Sequence, residues 1–218
     1  DRLPALRQIA FGGEGYPLAE LERLWHLYGH RVRILNVYGP TEATCICSAY
    51  PIRRADFSRA ETLPPLGRLA NNVSGILLDG DREVAAGETG ELCLIGPTVG
   101  AGYYNDSERT AAAFALSPVH TAVPRRMYRT GDLVRRDPGD GLLYFAGRKD
   151  NQIKHLGYRI ELEEIEAALA RVPEVRQAAV VYTRRKSLHG RIVAFVAAPE
   201  ASDAAQIRER VATFLPPY

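Results

Sequence analysis

Asn36-Val37-Tyr38-Gly39-Pro40-Thr41-Glu42 sets an aromatic ring, a hydroxyl and a carboxylate around one Gly-Pro turn. An adenine can stack on Tyr38, Thr41 can bond a phosphate oxygen, and Glu42 can hold Mg²⁺. The same string also makes a plain turn, and spacing alone leaves both readings open. In Tyr128-Arg129-Thr130-Gly131-Asp132-Leu133 a carboxylate follows a glycine turn. There Asp132 can accept both hydroxyls of a ribose, or it can be a turn residue bonded to its own backbone. A third segment runs from Gly147-Arg148-Lys149-Asp150 to Glu161-Leu162, with glycines and a cluster of charges. Its Arg148 can pair with ribose or phosphate, unless the whole stretch is a solvated linker. Glu161, Glu163, Glu164 and Glu166 read as the outer face and N-terminal charge of a helix. Gly90 to Tyr103 reads as a strand and tight loop of structural character only. No Ser-His-Asp order, HExxH helix or Walker-type loop is present.

The elements that would carry these segments change character along the chain. Leu6 to Phe11 is a short apolar run ending at Gly12-Gly13-Glu14. Pro17 suits a first helical position, and Leu18, Leu21, Trp25 and Tyr28 form one apolar helix face that Gly29 closes. Val32 to Val37 is a second buried-type strand, so residues 1–60 make a βαβ edge of a parallel α/β sheet. Cys45 and Cys47 alternate in an apolar run and should share one strand face. Residues 61–146 break into short strands, Ser74 to Leu78, Glu91 to Ile95, Leu133 to Arg136 and Leu142 to Phe145. That spacing suggests a small antiparallel, barrel-like β unit. A helix from Ser107 to Ala115, with Ser107 as N-cap, interrupts it. Residues 147–150 form the boundary, and residues 151–218 a small α+β domain. In it Leu162, Ile165, Leu169 and Val172 line one helix that Pro173 ends. Strands Val175 to Tyr182 and Arg191 to Ala198 follow, then a helix capped by Ser202 with Ile207, Val211 and Phe214 on one face.

Composition narrows the partners. Basic and acidic residues number 28 and 26 for a net charge of +2, and without a basic stripe nucleic acid is not an expected partner. No apolar run could span a bilayer and no signal-peptide pattern opens the chain, so a cytoplasmic, membrane-free protein is expected. Cys45, Cys47 and Cys93 have no zinc-like spacing and read as reduced thiols.

Together the segments resemble the signature motifs of the adenylation domains of nonribosomal peptide synthetases, in family order. NVYGPTEAT, GELCLIGPTVGAGYYN, YRTGDLVR and GRKDNQIKHLGYRIELEEIE each resemble one motif, Leu215-Pro216-Pro217-Tyr218 resembles the LPxY motif near the family's end, and Gly12-Gly13-Glu14 matches a strand end beside the nucleotide. The resemblance implies activation of an amino acid by ATP and Mg²⁺ to an acyl-adenylate with release of pyrophosphate. Transfer to the phosphopantetheine thiol of a peptidyl carrier protein follows. It further implies that Tyr38 stacks on adenine with Gly12, Gly13 and Glu14 on its other side. Thr41 would touch phosphate, Glu42 would hold Mg²⁺, Asp132 would grip the ribose with help from Arg148, and Phe145 would flank the nucleoside. Asp150 would be the hinge of a lid, and Ala10, Gly12, Val37, Cys45 and Ile46 would line the side-chain pocket.

The family's phosphate-binding loop, the aspartate for the substrate's amino group and the terminal catalytic lysine are not among these residues. The chain is therefore expected to be the C-terminal part of such a domain with a truncated lid, inactive alone and completed by the rest of the domain or an accessory protein. His155-Leu156 stand where many relatives carry Ile-Arg, a change that resembles D-alanine-carrier-protein ligases and some stand-alone activating enzymes. An acyl- or aryl-CoA ligase and a non-catalytic carrier-docking module are the rival readings.

Overall fold

The computed structural model describes residues 3–58, 61–120, 122–183, 190–199 and 202–217. Strand β1 (Gln8–Gly12) leads into helix α1 (Leu18–Tyr28) and strand β2 (Arg33–Tyr38). β1 and β2 pair in parallel, Ala10 against Leu35 and Gly12 against Val37. Leu18 and Leu21 of α1 pack on Ile34, Tyr50 and Ile52, which covers one face of the strands. By alternation, Ala10, Gly12, Leu35 and Val37 turn to the other face. Pro17 is the N-cap of α1, one position before the expected first turn.

The sheet then continues beyond the two expected strands. β3 (Ser48–Pro51) returns antiparallel to β2, and β4 (Arg68–Leu69) pairs with β3, giving the order β1-β2-β3-β4. Cys45 and Cys47 do not share a strand face. Cys45 has a φ of +71° and is exposed, whereas Cys47 is fully buried just before β3. The apolar run that suggested a strand is a left-handed reversal instead.

Strands β5 (Ser74–Asp79), β6 (Arg82–Glu83), β7 (Thr89–Ile95), β8 (Met127–Arg136) and β9 (Leu143–Arg148) make an antiparallel sheet in the order β6-β5-β7-β8-β9. Among the described residues this sheet is open and its outer strands do not pair, so it is not a closed barrel. The expected strand at Leu133 is only the second half of β8, which begins six residues earlier at Met127. Helix α2 (Ser107–Ala113) sits between β7 and β8, capped by Asp106, whose carboxylate accepts from the Arg109 N–H at 3.0 Å. Ser107 is the first helical residue and not the cap; an ionised cap also complements the helix dipole better than a hydroxyl. The core is shared with the first sheet: Tyr38, Ala43 and Cys47 pack with Leu77, Leu92, Leu94 and Val134.

Residues Asp1–Lys149 form one compact unit and Asp150–Tyr218 a second. The second opens with a hairpin, β10 (Gln152–His155) and β11 (Tyr158–Glu161), turned through Leu156 and Gly157 at φ +54° and +85°. The sequence left a nucleotide-pairing hinge and a solvated linker both open for this stretch; residues 152–161 form a paired hairpin. Helix α3 (Leu162–Ala170), the hairpin β12 (Gln177–Thr183) and β13 (Arg191–Ala197), and helix α4 (Ala204–Ala212) complete the unit. Leu162, Leu169, Val180, Ile207 and Val211 share its core, so both helices cover one face of the hairpin. Asp203, not Ser202, caps α4, accepting from the Ala205 N–H at 2.8 Å. The terminal motif ends on Tyr218, outside the described residues. None of the described helices is long and apolar enough to cross a membrane.

Candidate active site

The carboxyl end of β2 is where the chemistry-bearing residues meet. Proline has no N–H and a fixed φ, so Gly39-Pro40 ends the ladder. Thr41–Ala43 then form one 3₁₀ turn, followed by Thr44 and Cys45 at φ +61° and +71°. Two consecutive side-chain-bearing residues in the left-handed region cost about 1–2 kcal/mol each. The surroundings enforce them. Cys45 N–H bonds Pro40 O at 3.1 Å, Cys47 N–H bonds Tyr38 O at 2.9 Å, and Thr44 Oγ1 donates to Thr98 O at 2.8 Å. A Cβ on Gly39 would lie 1.9 Å from Cys45 O, so only glycine fits there.

Asp132 faces this turn from β8. Between the pairs Cys93–Arg129 and Glu91–Leu133, β7 supplies Leu92 alone while β8 supplies Thr130, Gly131 and Asp132. The extra residues form a bulge with Gly131 at φ +70°, a device that re-aims a side chain from a regular strand. Thr130 Oγ1 fills the interrupted ladder, donating to Leu92 O at 2.7 Å and accepting from Asp132 N–H at 3.0 Å. Asp132 is thus a bulge residue and not a turn residue bonded to itself.

Its buried carboxylate joins two of the other singled-out residues. Tyr38 Oη donates to Oδ2 at 2.5 Å, and Arg148 Nη1 to Oδ1 at 2.8 Å while also reaching Thr130 O at 2.8 Å. Arg148 lies directly across from Asp132 on β9. Tyr38 is only 8% exposed. Burial first, and the Asp132 charge second, hold its phenol well above the ordinary tyrosine value. The hydrogen bond to Asp132 is a role its sequence context did not announce.

Glu42 is half-buried and accepts from Tyr103 Oη at 2.8 Å; its backbone carbonyl takes the Gly100 N–H at 2.8 Å. Tyr103 is held in turn by an edge contact with Phe114, 5.4 Å between centroids, and by the Arg109 guanidinium 5.0 Å from its ring. The glycine-rich loop that read as structural therefore supplies a hydrogen-bond donor to the candidate metal residue. A Tyr four residues before a capped helix was the signal available for it. Thr41, beside Glu42, is exposed. Among the described residues no cluster of three His, Cys, Asp or Glu side chains is gathered around a metal. A carboxylate flanked by a hydroxyl fits the way Mg²⁺ is carried, on one or two carboxylates plus substrate phosphates.

The remaining residues occupy the neighbouring surface. Ala10, Gly12 and Gly13 are exposed, Val37 and Glu14 half-buried, and Cys45 and Ile46 exposed just past the turn, Ile46 by 56%. Phe145 on β9 is 38% exposed, three residues before Arg148. Asp150 opens the second unit, its Oδ1 accepting from Gln152 N–H at 3.2 Å.

The three thiols make an expected contrast. Burial raises Cys47 to about 11 and Cys93 to about 12. At pH 8 Cys45 should be alkylated rapidly and the other two only after denaturation, read by peptide mass spectrometry. The same shifts fix the sign of the alkaline limb. The folded state holds these protons more tightly, so their contribution is complete below the free-thiol value and is lost as pH rises through about 9 to 12. Equal labelling of all three native thiols would contradict the burial.

The family follows from this architecture and from direct similarity. The AMP-binding enzyme model matches residues 1–104 and the AMP-binding enzyme C-terminal domain model residues 164–218; the chain belongs to the AMP-binding enzyme family. It is 40% identical over 218 residues to malpibaldin synthetase of Mortierella alpina, covering 99% of this chain and 4% of that one. Among solved structures it superposes on the Vibrio cholerae adenylation domain AlmE in complex with glycyl-adenosine-5'-phosphate. The TM-score is 0.82 at 28% identity, over 99% of this chain and 40% of that one. It is also similar to PA1221, an NRPS protein containing adenylation and PCP domains, with TM-score 0.80 at 29% identity, over 95% of this chain and 41% of that one. The chain thus spans well under half the length of each.

Proposed function

We propose that this chain carries the nucleotide-facing part of an amino-acid-adenylating ligase that loads a peptidyl carrier protein. The observation that carries the reading is the Tyr38–Asp132–Arg148 cluster, in which a buried carboxylate is aimed at the end of β2 by a bulge. In α/β sheets ligands bind at the carboxyl ends of strands. Asp132 accepts the ribose hydroxyls, with Tyr38 and Arg148 fixing its orientation. Thr41 bonds a phosphate oxygen and Glu42, steadied by Tyr103, holds Mg²⁺. A metal held there would supply neutralising charge to the triphosphate; the substrate carboxylate attacks the α-phosphorus and the bond to pyrophosphate breaks. Gly12, Gly13, Glu14 and Phe145 flank the nucleoside, and Ala10, Gly12, Val37, Cys45 and Ile46 the substrate side chain. Residues 147–150 form a hinge, with Asp150 the pivot of a lid made of residues 151–218. The aminoacyl group then passes to a phosphopantetheine thiol. The glycyl-adenylate of AlmE and the PCP domain of PA1221 support the two steps by analogy.

The test is pyrophosphate exchange by the full-length protein over panels of amino, aryl and fatty acids, with and without Mg²⁺. Exchange confined to one or a few amino acids is expected. Exchange driven only by aryl or fatty acids would make the protein an acyl-CoA type ligase, and ATP binding without exchange a docking module.

A further inference from the structure

We infer that Glu91 is a positioning residue for the nucleotide: it clamps the Gly131 bulge that aims Asp132, together with Lys149, the last residue of the first unit. The inference rests on the adenylation reading above. Glu91 lies on β7 within an apolar run, 5% exposed. Its Oε1 accepts from Gly131 N–H at 3.3 Å, and its Oε2 from Arg129 Nη1 at 3.0 Å and Lys149 Nζ at 3.3 Å. The carbonyl of Gly131 takes the Lys149 N–H at 2.8 Å. Both polar backbone atoms of the left-handed residue are thus tied, one to Glu91 and one to the residue Glu91 also grips. Arg129 is anchored separately by Asp81, Nη2 to Oδ1 at 2.8 Å.

A buried carboxylate is a poor way to stabilise a sheet, since a well-packed apolar residue does as well or better. What the carboxylate adds is direction. A bulge can slide along its strand, and moving this one by a residue would turn Asp132 away from Tyr38 and Arg148. Glu91 pins it at one register through a neighbouring strand, and it reaches no candidate substrate residue itself.

The expected split is therefore nucleotide over amino acid. In the full-length protein Glu91→Ala should weaken equilibrium binding of a non-hydrolysable ATP analogue about tenfold, with the amino-acid KM in exchange within about twofold. Glu91→Gln keeps an acceptor for Gly131 but loses its hold on Lys149, which is 58% exposed and can turn to solvent; affinity should return to about threefold below the parent. Lys149→Ala, a change the fold tolerates at an exposed side chain, should cost about threefold in the same direction. It decides the matter should Glu91→Ala not fold. Unchanged analogue binding in Lys149→Ala or in folded Glu91→Ala overturns the inference. So does equal loss of nucleotide and amino acid, or a Gln variant as damaged as the Ala one. If Asp132→Ala also binds the analogue normally, the nucleotide assignment itself has failed, which is a different result from a failure at Glu91 alone.

Discussion

Asp132→Ala in the full-length protein is expected to raise the KM for ATP in pyrophosphate exchange about 10²-fold, with the amino-acid KM within about threefold. Two charge-assisted hydrogen bonds to a ribose are each worth roughly 1.5–3 kcal/mol, and together they exceed that loss. Part of the effect is structural. The alanine removes the acceptor of the Tyr38 hydroxyl, on a ring only 8% exposed, and the carboxylate partner of Arg148, whose contact with Thr130 O is kept. Breaking one partner out of a buried pair costs about 3–5 kcal/mol when burial is complete. Because Arg148 keeps 17% exposure, the loss here should sit below that range. Asp132→Asn separates the two effects in part, since its one amide oxygen still accepts from Tyr38 while its NH2 faces Arg148 and the charge is gone. Asn should recover part of the thermal midpoint but not the affinity for ATP. An unchanged KM for ATP in the alanine variant would remove Asp132 from the nucleotide site.

The sequence carried the long periodic elements well and the site's fine geometry poorly. Helix α1 was legible because Leu18 and Leu21 recur on one face, and those residues do form its buried side. β2 and the α-β-β-α order of residues 162–212 were legible for the same reason. Where a short segment is set by its neighbours, the local pattern misled. Cys45-Ile46-Cys47 alternates like a strand, yet the close approach of Gly39 to Cys45 O forces a left-handed reversal there. Glycine at 131 signalled a positive φ, and the φ is positive, but bulges and turns use the same residue chemistry. Only the pairing of β7 with β8 tells them apart. Asp106 and Asp203 each precede the serine or alanine that begins the helix by one position, below the resolution of a capping pattern. Candidate nucleotide residues were recognisable one by one from their motifs. That Tyr38 and Arg148 both end on Asp132, and Tyr103 on Glu42, depends on contacts between residues 16 to 94 positions apart, which no local spacing encodes.

Asp150→Pro is expected to leave adenylation nearly intact and to lower transfer to the carrier thiol by about 10²-fold or more. Asp150 stands at the division between the two units, with Lys149 N–H fastened to Gly131 O on one side and its own carboxylate bonded to Gln152 N–H at 3.2 Å on the other. On the proposed lid reading, a rotation of residues 151–218 between half-reactions is absorbed by the dihedrals between those two fixed points. Proline locks φ near −65° and restricts the residue before it to extended conformations, which removes that freedom from positions 149 and 150. The side-chain bond to Gln152 is lost as well, but this part-buried contact is worth only about 0.5–1.5 kcal/mol. Alanine at 150 removes the same bond without locking φ, so Asp150→Ala should retain far more transfer than Asp150→Pro. Exchange assays read the first half-reaction and radiolabelled loading of a holo carrier protein the second. A proline variant that loses both in equal measure would place position 150 in general folding or in the chemistry of adenylation, and a variant that loads the carrier normally would move the pivot elsewhere in the chain.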